Sequence, residues 1–148
     1  MATTSRTTNI PTPPDAVWGV LADFASISSW APNVDHSCLL TEQSSGVGAV
    51  RRIQAGRLTV VETVIGWADG SSLSYAITGL PKVLRSVTNT WHVEPSADGR
   101  NTTVTLTTDI DAGPRPAQRV LAGTVARGLG STSEEMLAGL TSFSTARI

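Results

Sequence analysis

Hydrophobic and polar positions fall into three stretches of different period along the chain. A short polar segment, Thr3 to Ile10, reads as an edge strand, after which Val17, Leu21 and Phe24 recur at helical spacing and Trp18 and Val20 widen the apolar stripe. The start of this amphipathic helix is marked by Thr12 as a cap, Pro13 at the first helical position, and Asp15 near the positive helix end. A second short helix, Ser26 to Trp30, stops ahead of Pro32, because the residue before a proline is pushed out of the helical region.

From about His36 to Asp111 the period changes to two. Turn signals at Ser44 to Gly46, Ala55-Gly56, Asp69-Gly70, Gly79 to Pro81 and Asp98-Gly99 divide this stretch into six strands of an antiparallel meander. Alternation is clean in three of them, with Leu73, Tyr75 and Ile77, then Val87, Asn89, Trp91 and Val93, then Val104, Leu106 and Ile110 on one face. Thr103, Thr105, Thr107, Asp109 and His92 fall on the other, so one face is buried and one is wet. After Gly113-Pro114-Arg115-Pro116 the spacing turns helical again. Leu121, Val125, Leu129, Thr132, Met136, Leu140 and Phe143 form a stripe long enough to cross the sheet. The result is an α+β chain: a six- to seven-stranded curved sheet, two short helices after the first strand, and one long C-terminal helix.

Composition narrows the function classes. The 148 residues fit one domain over 1–148, and a net charge of -1 gives no electrostatic reason to expect nucleic acid or an anionic membrane as a partner. No run approaches the ~20 apolar residues of a membrane span. The lone Cys38 and the absence of a secretory pattern at the start point to a reducing cytoplasm. His36 and His92 lack the spacing of a metal site, Gly46-Val47-Gly48 lacks the helix and lysine of a phosphate loop, and no cofactor is expected. Geometry then suggests a hollow: a twisted sheet curls, and a straight helix laid across it cannot touch it everywhere.

The order of elements carries a resemblance. Val17-Trp18-Gly19-Val20-Leu21-Ala22-Asp23-Phe24 leading to Trp30-Ala31-Pro32, with Val60-Val61-Glu62, Trp67-Ala68-Asp69 and Leu73-Ser74-Tyr75 following in order, is similar to the START-related (SRPBCC) proteins known as polyketide cyclases/dehydrases. These share the helix-grip fold of the birch-pollen allergen (Bet v 1-like) and of plant abscisic-acid receptors, and the likeness covers essentially the whole chain. It implies an internal cavity for a small, largely hydrophobic molecule, with Glu62 and Arg51 pointing inward on the face that carries Ala49, Ile53, Leu58, Val60 and Val64. The receptors' Gly-Leu-Pro gate does not transfer, because Gly79-Leu80-Pro81 lies one hairpin later.

The expected lining is Arg51, Ile53, Val60, Glu62, Val64, Tyr75, Ile77, Val87, Asn89, Trp91 and Leu106 from the sheet, with Val125, Leu129 and Met136 from the long helix. Trp18 and Trp30 are read as seating the short helices. A carboxylate at position 62 needs a partner on an apolar face, and Arg51 on the neighbouring strand is the candidate. The pair is either a structural ion pair or a polar anchor for a bound carbonyl or hydroxyl. Two functions fit: a protein that binds a lipid, terpenoid or polyketide-like molecule, or a cyclase/dehydratase using Glu62 as acid/base with Arg51 or Tyr75 polarising a carbonyl.

Overall fold

The computed structural model describes residues 1–146. Seven strands, β1 (Ala2–Ile10), β2 (His36–Leu39), β3 (Val50–Ala55), β4 (Leu58–Ala68), β5 (Ser72–Thr78), β6 (Ser86–Pro95) and β7 (Thr102–Asp111), form one antiparallel sheet. Their order is β1-β7-β6-β5-β4-β3-β2, an open sheet with β1 and the four-residue β2 at its edges. Helix α1 (Pro14–Ala22), a 3-10 turn (Phe24–Ser29) and helix α2 (Pro116–Ala146) cover its inner face.

Two details of the helices correct the sequence expectation. Thr12 does not cap α1, whose flanking residue is Pro13 in an extended conformation (φ -59°, ψ 149°). Pro14 follows directly and forbids Pro13 the helical region, so the helix begins one residue later with Pro14 in its first turn. Thr12 serves the sheet instead, its carbonyl accepting from Thr102 Oγ1 at 2.6 Å.

The second correction concerns the face of α2. Met136 and Leu140 of the apolar stripe are buried, but most of the buried line, through Ala122, Ala126, Gly130, Ser133, Leu137 and Ser144, runs one step round from it, and Leu121 is exposed. Small residues lie against the sheet because they let the helix approach closely, while Val125, Leu129 and Thr132 stand half-buried at the side of that contact. The sheet adds one irregularity. A bulge between Val64 and Gly66 turns Ile65 outward and returns Trp67 to the inner side, where it packs partly buried on the core.

Candidate functional site

Cross-strand rows of inward residues divide the space under α2 into a solid half and a hollow half. At the solid end large rings fill the volume. Trp18 meets Trp67 edge-on at 5.5 Å between centroids, Trp30 meets Trp91 at 5.6 Å, and Phe24 meets Tyr75 at 5.9 Å. Trp18 and Trp30 thus seat the short helices on the sheet, and Trp18 Nε1 donates to Asp69 at 3.1 Å. All four tryptophans and the single tyrosine are spent here.

One register row further along, Glu62, Ile77, Val87 and Ile110 face each other across β4, β5, β6 and β7 with only aliphatic chains for bulk. Here a cavity of about 200 Å³ remains between the sheet and α2. Of the residues named from the sequence, Ile53, Val60, Glu62, Ile77, Val87 and Asn89 border it from the strands, and Val125, Leu129 and Met136 from the helix. Arg51, Val64, Tyr75, Trp91 and Leu106 do not reach it. They are inward and buried as expected, but Trp91 and Leu106 lie in the ring-filled rows and Arg51 lies under Phe24.

The structure also brings in residues that periodicity did not single out. Thr108 lies between Leu106 and Ile110 on the inward parity of β7, so alternation alone would have found it. Ser133 comes from the small-residue line of α2 itself, and Thr132, already part of the helical stripe, joins the wall beside it. Ile27, Asn33 and Val34 belong to the segment between α1 and β2, and Leu80 and Leu84 to the β5–β6 loop, where no period exists to betray an inward side chain.

The polar groups form two connected sets. In the first, Arg51 Nε donates to Glu62 Oε1 at 2.8 Å, Nη2 makes an ion-pair contact with the same oxygen at 2.7 Å, and Arg51 Nη1 donates to the Phe24 carbonyl at 2.8 Å. The guanidinium is held between two rings, 3.7 Å from the Phe24 centroid and 4.7 Å from that of Tyr75. Burial pushes the Glu62 carboxyl above the usual carboxylate range, and the charge and hydrogen bonds of Arg51 pull only part of the way back. In the second set, Thr108 Oγ1 donates to Asn89 Oδ1 at 2.6 Å, and Asn89 Nδ2 and Trp91 Nε1 both donate to Tyr75 Oη, at 3.4 and 3.2 Å. This band marks the boundary between the two halves. On the far wall, Asn33 carries a buried amide oxygen with no donor among the described residues.

Burial and the nearby Glu62 charge raise the Tyr75 phenol above its ordinary value. The folded state therefore holds the phenolic proton more tightly than the unfolded one, and this contribution to stability is intact below about pH 10 and lost above it. Because Tyr75 is the single tyrosine, the ultraviolet phenolate band reports it alone. In an alkaline titration that band is expected to appear together with the loss of circular dichroism. Ionisation near pH 10 with the fold intact would show that water reaches the ring.

Among the described residues there is no group of His, Cys, Asp and Glu able to hold a metal ion, and no helix long and apolar enough to cross a membrane. No curated protein matches the chain by sequence. Solved structures do match it in shape. An aromatase/cyclase from a Streptomyces species (Zhui) aligns with a TM-score of 0.77 at 19% identity over 99% of this chain and 94% of that one. A START superfamily protein from Mycobacterium smegmatis gives 0.77 at 13% identity over 99% of both chains, and a protein from Thermobifida fusca gives 0.76 at 25% over 97% and 93%. These similarities establish the helix-grip fold of START and Bet v 1-like proteins. Residues 1–142 match the family described as polyketide cyclase/dehydrase and lipid transport, which includes every wall of the cavity, and the chain belongs to that family.

Proposed function

We propose that this protein binds one small, largely apolar molecule carrying a hydrogen-bond donor in the cavity between the sheet and α2. The observation that carries the reading is the make-up of the wall: aliphatic side chains from four strands and the helix, interrupted by the hydrogen-bonded Asn89 and Thr108, by Thr132 and Ser133, by Asn33 with an unpartnered buried oxygen and by the Glu62 carboxylate. A buried acceptor without a donor is costly in a finished core, and a guest hydroxyl would satisfy it. Both guanidinium contacts go to Oε1 of Glu62, which leaves Oε2 as a second acceptor for the same guest.

Size sets the class. An apolar cavity of ~150 Å³ suffices for benzene, so about 200 Å³ accepts a single substituted ring or a compact terpenoid. Burying roughly 200 Å² of such a guest at about 25 cal/mol per Å² favours binding by ~5 kcal/mol before association costs, which are of similar size, so the polar contacts must add to it. A longer molecule would extend out past Leu58 and Leu84.

The second reading, a cyclase or dehydratase using Glu62 as acid/base, is favoured by the raised carboxyl on the cavity wall. The fixed position of that carboxylate against Arg51 suits an orienting acceptor better than a group that must take up a proton and release it.

Native mass spectrometry of the purified protein is expected to show a co-purified neutral of about one-ring size. Leu129→Trp, which places an indole into the cavity from a half-buried position, should displace it and weaken binding of an uncharged aromatic alcohol at least tenfold with little change in melting temperature. Unchanged affinity in a folded Leu129→Trp variant would place the binding site elsewhere. Turnover of a poly-carbonyl compound that survives in the wild type and vanishes in Glu62→Gln, with binding retained, would establish the catalytic reading instead.

A further inference from the structure

The near-neutral net charge of -1 conceals an uneven distribution of charge between the two ends of the sheet, in which the acids of the more basic end include Asp35 and Asp111, whose carboxylates accept from the backbone N–H groups of Gly56 and Gly113 at 2.6 and 2.9 Å. Residues 70–93 and 112–133 contain no Asp or Glu but carry Lys82, Arg85, Arg115, Arg119 and Arg127, five of the 11 basic residues. The antiparallel order brings Lys82 and Arg85, in the β5–β6 loop, to the same end as Arg115 and Arg119 at the start of α2, and the Arg85 backbone N–H donates to the Asp111 carbonyl at 2.7 Å. All four of these side chains are exposed, and none is in an ion pair among the described residues. The opposite end, around α1 and the β4–β5 and β6–β7 turns, presents Asp15, Asp69, Glu94 and Asp98 to solvent.

Placing cations at the start of α2 opposes the helix dipole, and no acid stands in the first turn to offset it. Large apolar side chains are exposed among them: Val120 at 68%, Val83 at 59%, Leu58 at 44% and Leu121 at 36%. The arrangement is continuous with the cavity. Leu58 and Leu84 are part of its wall, Val83 adjoins Leu84, and Leu121 lies one turn before Val125. Beneath the loop, Lys82 and Arg85 border a recess of about 300 Å³ that shares Ile77, Leu80, Leu84 and Val87 with the cavity.

We infer that this end of the molecule docks on an anionic lipid surface, with Lys82, Arg85, Arg115 and Arg119 at the headgroups and Val83, Val120 and Leu121 entering the interface, so that the cavity opens toward the lipid. Cations alone would suit any polyanion. Exposed aliphatic side chains between them, at the mouth of an apolar cavity, select a surface that offers both negative charge and hydrocarbon. The idea that the cavity loads from that surface rests on the proposed binding function, whereas the docking itself does not.

Flotation of the full chain with phosphatidylcholine vesicles, with and without phosphatidylserine, tests it. Binding is expected only with phosphatidylserine and should fall with salt. At about fivefold in partition per basic residue near such a surface, Lys82→Glu/Arg119→Glu is expected to lose at least ~25-fold. Val83→Ser/Leu121→Ser should weaken the residual binding at high salt, and Arg100→Glu, in the turn at the acidic end, should bind as the wild type does. Circular dichroism and binding of the aromatic alcohol are measured on each variant. Vesicle binding without uptake of the alcohol would keep the docking surface and remove the cavity function. Equal binding to uncharged vesicles, wild-type binding by Lys82→Glu/Arg119→Glu, or retention on duplex DNA with none on vesicles would overturn the docking proposal.

Discussion

Glu62→Ala is expected to destabilise the fold by about 3–5 kcal/mol, because it removes the acceptor of Arg51 Nε and leaves a buried guanidinium without its counter-charge. For a chain of this size the loss corresponds to a fall in melting temperature of roughly 10–15 °C. Arg51→Met/Glu62→Leu removes both charges and restores apolar bulk, so it should recover most of the loss, as replacement of a buried pair commonly does. A double variant no better than Glu62→Ala would show that the Phe24 and Tyr75 contacts of the guanidinium matter more than its charge.

Glu62→Gln separates charge from hydrogen bonding, since an amide oxygen can still accept from Arg51, and it should cost less than Ala. Its pH dependence has a definite sign. Because burial raises the Glu62 carboxyl in the folded state, the stability linked to its proton is present below the unfolded value near pH 4.3 and lost as pH rises through the raised one. Glu62→Gln does not ionise, so it should gain on the wild type across that window in urea denaturation. If it loses ground instead, the attraction of Arg51 outweighs desolvation.

The second large effect is at Gly139. A Cβ there would collide with the Trp30 carbonyl oxygen and approach Pro32 Cδ to 2.8 Å, and the backbone on one side is not free to move. Gly139→Ala gains about 1 kcal/mol of helix propensity but must push α2 away from the segment that carries Trp30, and overpacking of this kind costs roughly 1–3 kcal/mol or more. Gly123→Ala and Gly128→Ala meet nothing within 4 Å and should each stabilise by about 0.8–1 kcal/mol. The same substitution on the same helix thus changes sign with position. Thermal melts of the three variants check it, and a Gly139→Ala variant as stable as Gly123→Ala would mean that α2 can shift without loss.

Glu62 and Gly139 illustrate two different degrees of legibility. Glu62 is placed inward by the family resemblance and not by period, since both alternate sets of β4 are mostly apolar, and Arg51 is its candidate partner because β3 and β4 are neighbours joined by a short turn. Gly139 did not stand apart from Gly123, Gly128 and Gly130 in the sequence. Only the crossing of α2 over the Trp30 backbone gives it a distinct role, and that contact joins residues more than a hundred positions apart.

The same division runs through the whole molecule. Local periodicity and turn chemistry determined the order of elements, the inward parity of β5, β6 and β7, and the existence of one long covering helix, because each depends on residues close in sequence. Tertiary packing alone decided where the interior is solid. The rings of Trp18, Trp30, Trp67, Trp91, Phe24 and Tyr75 converge from six separate elements and segments on one end, which excludes Tyr75 and Trp91 from the cavity and leaves the aliphatic end hollow. Volume is shared among residues distant along the chain, so no pattern within a strand or helix records how much of it remains unfilled.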